Sequence, residues 1–193
     1  MELQKININN ILCEVIASFY SSFVDKNITP KIDLPKENIM VIGNEGAIKR
    51  VLQNLIVNMI KHSKEDVYIS LKKENDKAVL TTINRCDDIK EEDIDLIFNR
   101  FYKKDDARIN KNGSTGLGLS ISKRLMEKMN GEIYAEVHKD LLHIFVNGIQ
   151  NKRLYSKQVQ PFLPCVCKTY VYHKVNQHIL NYTHNLIFNS SKF

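Results

Sequence analysis

Residues 112–130 read Asn-Gly-Ser-Thr-Gly-Leu-Gly-Leu-Ser-Ile-Ser-Lys-Arg-Leu-Met-Glu-Lys-Met-Asn, and the fold turns on how they are read. Gly113, Gly116 and Gly118 carry no Cβ, so the backbone can bend there and come close to a ligand. Behind them Leu117, Ile121, Leu125 and Met129 recur at helical spacing, with Leu119 and Met126 widening the apolar face. Gly131 follows Asn130 as a stop signal. A glycine-rich approach that opens into a helix presents unpaired N–H groups, the usual seat of a phosphate. The stretch matches neither the P-loop nor the dinucleotide fingerprint, and no strand directly precedes it. Taken alone, it leaves open both phosphate binding and an ordinary loop followed by a capped helix.

Upstream, Asn44 is placed to cap a long helix ending near Ser63. At 100° per residue, Arg50, Asn54, Asn58 and Lys61 fall within roughly 80° of arc. Ile48, Val51, Leu52, Leu55, Ile56 and Met59 occupy the opposite side. Two carboxamides and an ammonium in one stripe suit a metal-bound polyphosphate. An amide oxygen ligates Mg²⁺, and a lysine meets phosphate as a point charge. A solvated polar face is the competing reading.

Around these two helices the pattern alternates. Val67, Ile69 and Leu71 predict a strand over 67–73, paired as a hairpin with 78–83 across Glu74-Asn75-Asp76. An acidic short helix is expected over 91–98, with Ile94 and Ile97 inward. The run Glu91, Glu92, Asp93, Asp95 then reads as favourable charge at a helix start, not as a catalytic cluster. Phe98, Phe101 and Tyr102 form an expected aromatic cluster before a charged stretch, and 132–137 with 141–146 gives a closing hairpin. At the other end, Asn9 or Asn10 is the expected cap of a helix over 10–25, along which Ile11, Val15, Phe19 and Phe23 share a face. The segments 31–34 and 39–42, near Pro30 and Pro35, read as edge strands. The predicted architecture is an α/β (α+β) two-layer sandwich. Three helices cover one face of a mixed, largely antiparallel sheet of about five or six strands.

A hydrophobic content of 43% in 193 residues supports a real core, expected as one domain over 1–150 with an appendage over 151–193. The net charge of +6 does not indicate a nucleic-acid partner. Residues 1–150 carry 22 basic and 22 acidic side chains, and the excess lies in the 6 basic and no acidic residues of 151–193. Cys13, Cys86, Cys165 and Cys167 suggest no disulfide framework. Cys86 has no adjacent base in sequence and reads as a filler. No run of roughly 20 apolar residues and no leader pattern is present, so a cytoplasmic protein is expected.

Read together, these segments resemble the catalytic ATP-binding domain of sensor histidine kinases, within the class that also holds gyrase, heat-shock chaperone and mismatch-repair ATPases. The family's N box, Asn-Leu-x-x-Asn-Ala-x-Lys-Tyr, stands here as Asn54-Leu55-Ile56-Val57-Asn58-Met59-Ile60-Lys61-His62. The F box stands as Ile97-Phe98-Asn99-Arg100-Phe101-Tyr102, and the second glycine box as Thr115-Gly116-Leu117-Gly118-Leu119-Ser120-Ile121. Order and spacing match over roughly residues 9–146.

The resemblance implies roles. Asn58 would ligate Mg²⁺ with Asn54 beside it. Lys61 and Arg108 would contact the phosphates of ATP, and Asn58 and Lys61 would serve transfer. His62 would lie against the adenine, and Gly116 and Gly118 would offer backbone N–H groups to the polyphosphate. Residues 103–114 would form a lid with Phe98 and Phe101 packed under it, and Asp88, Phe101, Thr115, Leu117 and Leu119 complete the implied nucleotide-contacting set. The family's Glu-based gyrase and chaperone relatives fit less well, since Gln53 and Asn54 stand where their base falls.

Two departures stand out. The first glycine box, Asp-x-Gly-x-Gly, aligns with Asn84, Cys86 and Asp88. Asn84 keeps an acceptor oxygen for the adenine amino group but not the charge, and the two glycines are lost. The helical hairpin bearing the phospho-accepting histidine is absent, and none of the six histidines has its setting. The acceptor is therefore expected in another segment or chain, as in a fragment or partner of a membrane-bound sensor kinase, with a response regulator downstream. The alternative is a degenerate, non-catalytic module that docks on a kinase or response regulator. In the tail, Cys165, Cys167, His173 and His178 lack zinc-finger spacing, so no zinc site is expected. The tail's composition, which includes neither glycine nor acid, is what an altered reading frame or a truncated gene end would be expected to give.

Overall fold

The computed structural model describes residues 1–63, 66–75, 77–86, 89–102 and 115–150, with backbone alone for 149 and 150. Asp88, Arg108, the expected lid over 103–114 and the tail over 151–193 lie outside the described residues. The elements run β1 (Gln4–Asn7), α1 (Ile8–Ser18), α2 (Tyr20–Asp25), β2 (Pro30–Asp33), β3 (Met40–Gly43), α3 (Glu45–His62), β4 (Val67–Glu74) and β5 (Lys77–Arg85). Two short 3₁₀ turns follow, Glu91–Asp93 and Leu96–Phe98, then α4 (Gly118–Lys128), β6 (Glu132–His138) and β7 (Leu141–Gln150).

Five strands form the main sheet in the order β2-β4-β5-β7-β6, and β1 and β3 form a separate two-stranded antiparallel pair. The β2–β4 pairing is parallel and every other pairing in the main sheet is antiparallel, so the sheet is mixed as predicted. Alternation along the strands sets the core. Val67, Ile69, Leu71, Leu80, Leu142, Ile144, Val146 and Ile133 are buried on one face. Against them pack Val51, Leu52, Leu55, Ile56 and Met59 of α3, Leu12, Val15 and Ile16 of α1, and Met126 of α4. Each fully buried aliphatic side chain of this kind contributes about 1.5–3 kcal/mol. On the opposite face Tyr134 and Phe145 stack with ring centroids 4.9 Å apart.

Several boundaries differ from expectation, each for a local reason. Asn7, not Asn9 or Asn10, caps α1, its side chain accepting from Asn9 N at 3.0 Å and Asn10 N at 3.3 Å. Asn9 is buried and fastens α1 to the segment before β3, accepting from Ile39 N at 2.8 Å and donating to the Glu37 carbonyl at 3.2 Å. The expected single helix over 10–25 breaks at Phe19, whose φ of −101° and ψ of 8° separate α1 from α2. The acidic helix over 91–98 is replaced by the two 3₁₀ turns. Asp93 turns its carboxylate back to the Lys90 N–H at 3.0 Å, a side-chain bond that competes with helical pairing. The aromatic cluster is incomplete: Phe98 is buried, but Phe101 is 70% exposed with a φ of +64°.

Candidate functional site

The long helix α3 starts as the sequence predicts, with the Asn44 side chain accepting from Ala47 N at 2.9 Å. Lys49 bridges Glu14 of α1 and Glu45, each at 3.0 Å, and the hydrogen bonds to these two carboxylates raise its pKa. The polar stripe of α3 then meets α4. Asn54 donates from Nδ2 to the Gly118 carbonyl at 3.0 Å and to Ser122 Oγ at 3.1 Å. Ser122, fully buried, passes its own proton to the same carbonyl at 3.0 Å. Residues 64 positions apart are thereby joined through one carboxamide. Ser122 carried no signal in the sequence beyond its place about one turn into an amphipathic helix. Asn58, half-buried, is next on the stripe, about 6 Å further along the axis. Among the described residues its carboxamide has no hydrogen-bond partner. Lys61 is half-buried and His62 exposed on the last turn of α3, about 10 Å along the axis from Asn54.

Gly116 and Gly118 play different parts. Gly116 has a φ of +65°, and a Cβ there would lie 3.0 Å from both the Phe101 carbonyl carbon and the Tyr102 carbonyl oxygen. Its own carbonyl accepts from Phe101 N at 3.1 Å. Only glycine meets both demands. Gly118 shows neither, since a Cβ would sit 3.7 Å from Asn54 in ordinary contact. The turn thus locks the F box against the second glycine box. Tyr102 adds a bond from its hydroxyl to Asp93 Oδ1 at 3.1 Å, and Lys123 Nζ stands 5.6 Å from the centroid of the Phe98 ring. The helix α4 begins at Gly118 with Leu117 as its cap residue and no side-chain cap bond. The first-turn N–H groups therefore keep the anion-ready character that the sequence suggested. Thr115 is exposed, and Leu117 and Leu119 are half-buried beside this helix start.

Asn84 lies near the end of β5, 1% exposed. Its Nδ2 donates to the Arg85 carbonyl at 3.2 Å, whereas its Oδ1 is buried without a hydrogen-bond partner among the described residues. Cys86 follows, also buried, its N–H donating to the Asp140 carbonyl at 2.8 Å. Among the described residues Asn84 Oδ1 is thus an acceptor without a donor, while the start of α4 carries no side-chain cap bond and the Gly116 turn admits no Cβ. An unpaired acceptor matches an amino group and an uncapped helix start matches a polyanion. Among the described residues no group of three or more His, Cys, Asp or Glu side chains is arranged to hold a metal. Also among the described residues, no helix is long and apolar enough to cross a membrane.

Comparison with known proteins agrees with this geometry. Residues 43–153 match the family model described as histidine kinase-, DNA gyrase B-, and HSP90-like ATPase. The sensor protein DltS of Streptococcus agalactiae is 33% identical over 148 residues, 76% of this chain and 37% of that protein. The sensor histidine kinase YcbM of Bacillus subtilis is 33% identical over 133 residues, 68% of this chain and 43% of its own length. The chain therefore spans well under half of these relatives. The solved catalytic domain of the histidine kinase ThkA superposes with a TM-score of 0.68 at 25% identity, covering 76% of this chain and 95% of that one.

Proposed function

This chain belongs to the histidine kinase-, DNA gyrase B-, and HSP90-like ATPase family, and from that premise we propose that it is the ATP-binding catalytic domain of a two-component sensor histidine kinase. The substrate is ATP, and the γ-phosphoryl goes to a histidine supplied by another segment or chain. The observation that carries this reading is the Asn54 carboxamide on the Gly118 carbonyl, which sets the polar stripe of α3 against the open end of α4.

In this reading each residue has a task. The N–H groups of Gly118 and Leu119, with the turn at Thr115, Gly116 and Leu117, hold the phosphates. Lys61 and Arg108 offset their charge. Asn84 Oδ1 accepts from the base amino group, while His62, Asp88 and Phe101 border the nucleotide. Asn54 braces the helix start, leaving Asn58 to present its amide oxygen to Mg²⁺. That ion, if held there, would supply charge neutralisation to the polyphosphate. The domain works on the cytoplasmic side, alone or joined to a membrane-bound sensor, and hands phosphate on to a response regulator.

A specific feature favours a second reading, a regulatory module without catalysis. Cys86 is buried where the family resemblance places a glycine that lets the backbone approach the nucleotide. Calorimetric titration of ATP–Mg²⁺ into the full chain, beside Asn58→Ala, decides between the two. Saturable binding that the variant weakens at least tenfold supports the kinase reading, and no heat up to millimolar ATP refutes it. Incubation with an acceptor hairpin and ATP, read as acid-labile phosphate, tests transfer.

A further inference from the structure

We propose that Asp140 and Arg85 are positioning residues that set the purine selectivity of the base subsite, an inference that rests on the nucleotide-binding reading above. The turn between β6 and β7, at Lys139 and Asp140, reaches back over the end of β5. Its Asp140 carbonyl takes the Cys86 N–H at 2.8 Å, extending the β5–β7 ladder one bond past Arg85 and Leu141. The Asp140 carboxylate also meets the Arg85 guanidinium at 3.5 Å. Asp140 thus holds this end of β5 twice from the β7 side, by its carbonyl on the Cys86 main chain and by its carboxylate on the Arg85 side chain.

That main chain in turn orients the one buried polar side chain beside it. Asn84 Nδ2 donates to the Arg85 carbonyl at 3.2 Å. Turning the amide over would set Oδ1 against that carbonyl, acceptor facing acceptor, so the oxygen is the atom left for a ligand. Among the described residues it is buried and unpaired, a state that costs free energy until a donor arrives. An aspartate at this place offers acceptors whichever way it turns. An asparagine discriminates only while its orientation is fixed, and here Arg85 fixes it. A 6-amino purine supplies the missing donor, and a 6-oxo purine brings a second acceptor. If the hold on Arg85 loosens, the amide can turn and Nδ2 can serve the 6-oxo group. Selectivity for adenine over guanine therefore depends on a turn outside the three motif boxes.

The test compares ATP–Mg²⁺ and GTP–Mg²⁺ affinities in the full chain by calorimetry. Variants are Asp140→Ala, Arg85→Met, the double change, and Asp140→Glu as the conservative rescue. The parent is expected to favour ATP. Because the ion pair is solvent-exposed, each single change should narrow the ATP:GTP ratio by about threefold, chiefly by strengthening GTP binding. The double variant should be no worse than Arg85→Met alone, and Asp140→Glu should restore the ratio. A merely structural role would weaken both nucleotides alike and leave the ratio unchanged. An unchanged ratio in both single variants, with ATP still bound, overturns the inference and spares the kinase reading. A parent that binds neither nucleotide overturns both.

Discussion

Replacing Gly116 with alanine sets two strains against one hydrogen bond. An L-residue held at a φ of +65° carries a penalty of about 1–2 kcal/mol. Its Cβ would press on Phe101 and Tyr102 backbone atoms at 3.0 Å, and overpacking of that kind costs about 1–3 kcal/mol. Keeping the native turn would therefore cost about 2–5 kcal/mol in all. Releasing it gives up the 3.1 Å bond from Phe101 N to the Gly116 carbonyl, worth about 0.5–1.5 kcal/mol net. Release is the cheaper route, so the turn should open while the body stays folded. The expected loss is about 1 kcal/mol, or about 4 °C in Tm for a domain of this size. The Phe101 amide should lose roughly fivefold of its hydrogen-exchange protection, the factor that matches about 1 kcal/mol. ATP affinity should fall with it. Gly118→Ala is the control: its Cβ has 3.7 Å of clearance, and less freedom in the unfolded chain should raise stability by about 0.4–1 kcal/mol. If Gly116→Ala matches Gly118→Ala in both Tm and Phe101 exchange, the account of this turn is wrong.

Two further outcomes follow from the same contacts. Asn54→Leu removes both donations to α4 and leaves the half-buried Gly118 carbonyl and the buried Ser122 without that partner. It should destabilise the fold by about 1–3 kcal/mol in urea titration at unchanged m-value, whereas Asn58→Ala should leave the urea midpoint near the parent's. On the outer sheet face, burial first and then neighbouring His138 lower the pKa of His143, with Glu136 opposing. A histidine depressed in the folded state favours folding above its ordinary pKa and loses that contribution as pH falls through the depressed value. Stability should therefore decline below about pH 6.5, and His143→Gln should flatten that decline in denaturant midpoints measured from pH 8 to 5.

The parts of the fold that were legible in sequence are those with long, unambiguous periods. The cap at Asn44, the run of α3 and the β4–β5 hairpin all follow from spacing within one segment, as does the glycine-led start of α4. What escaped depends on partners far away along the chain. Nothing near Gln4–Asn7 announces a strand, because β1 exists through its pairing with β3. The parallel register of β2 on β4 is likewise set across the intervening helix. At the site, the spacing of Asn54 and Asn58 fixed a shared face but not the division of labour. Only the approach of Gly118 shows that Asn54 is engaged with α4. The same holds for Asn84, whose orientation is decided by a carbonyl one residue on and a turn more than fifty residues later.

The bond between Phe101 and Gly116 has a consequence for how such a chain can diversify. It works as a clasp, so Phe101 and Gly116 are fastened to each other at fixed points of the described body. Lengthening a closed segment is inexpensive in entropy, about 0.6 kcal/mol for each doubling. A change in the number of residues between the two fastened ends is thus small in closure entropy, provided the glycine that closes the clasp stays in place.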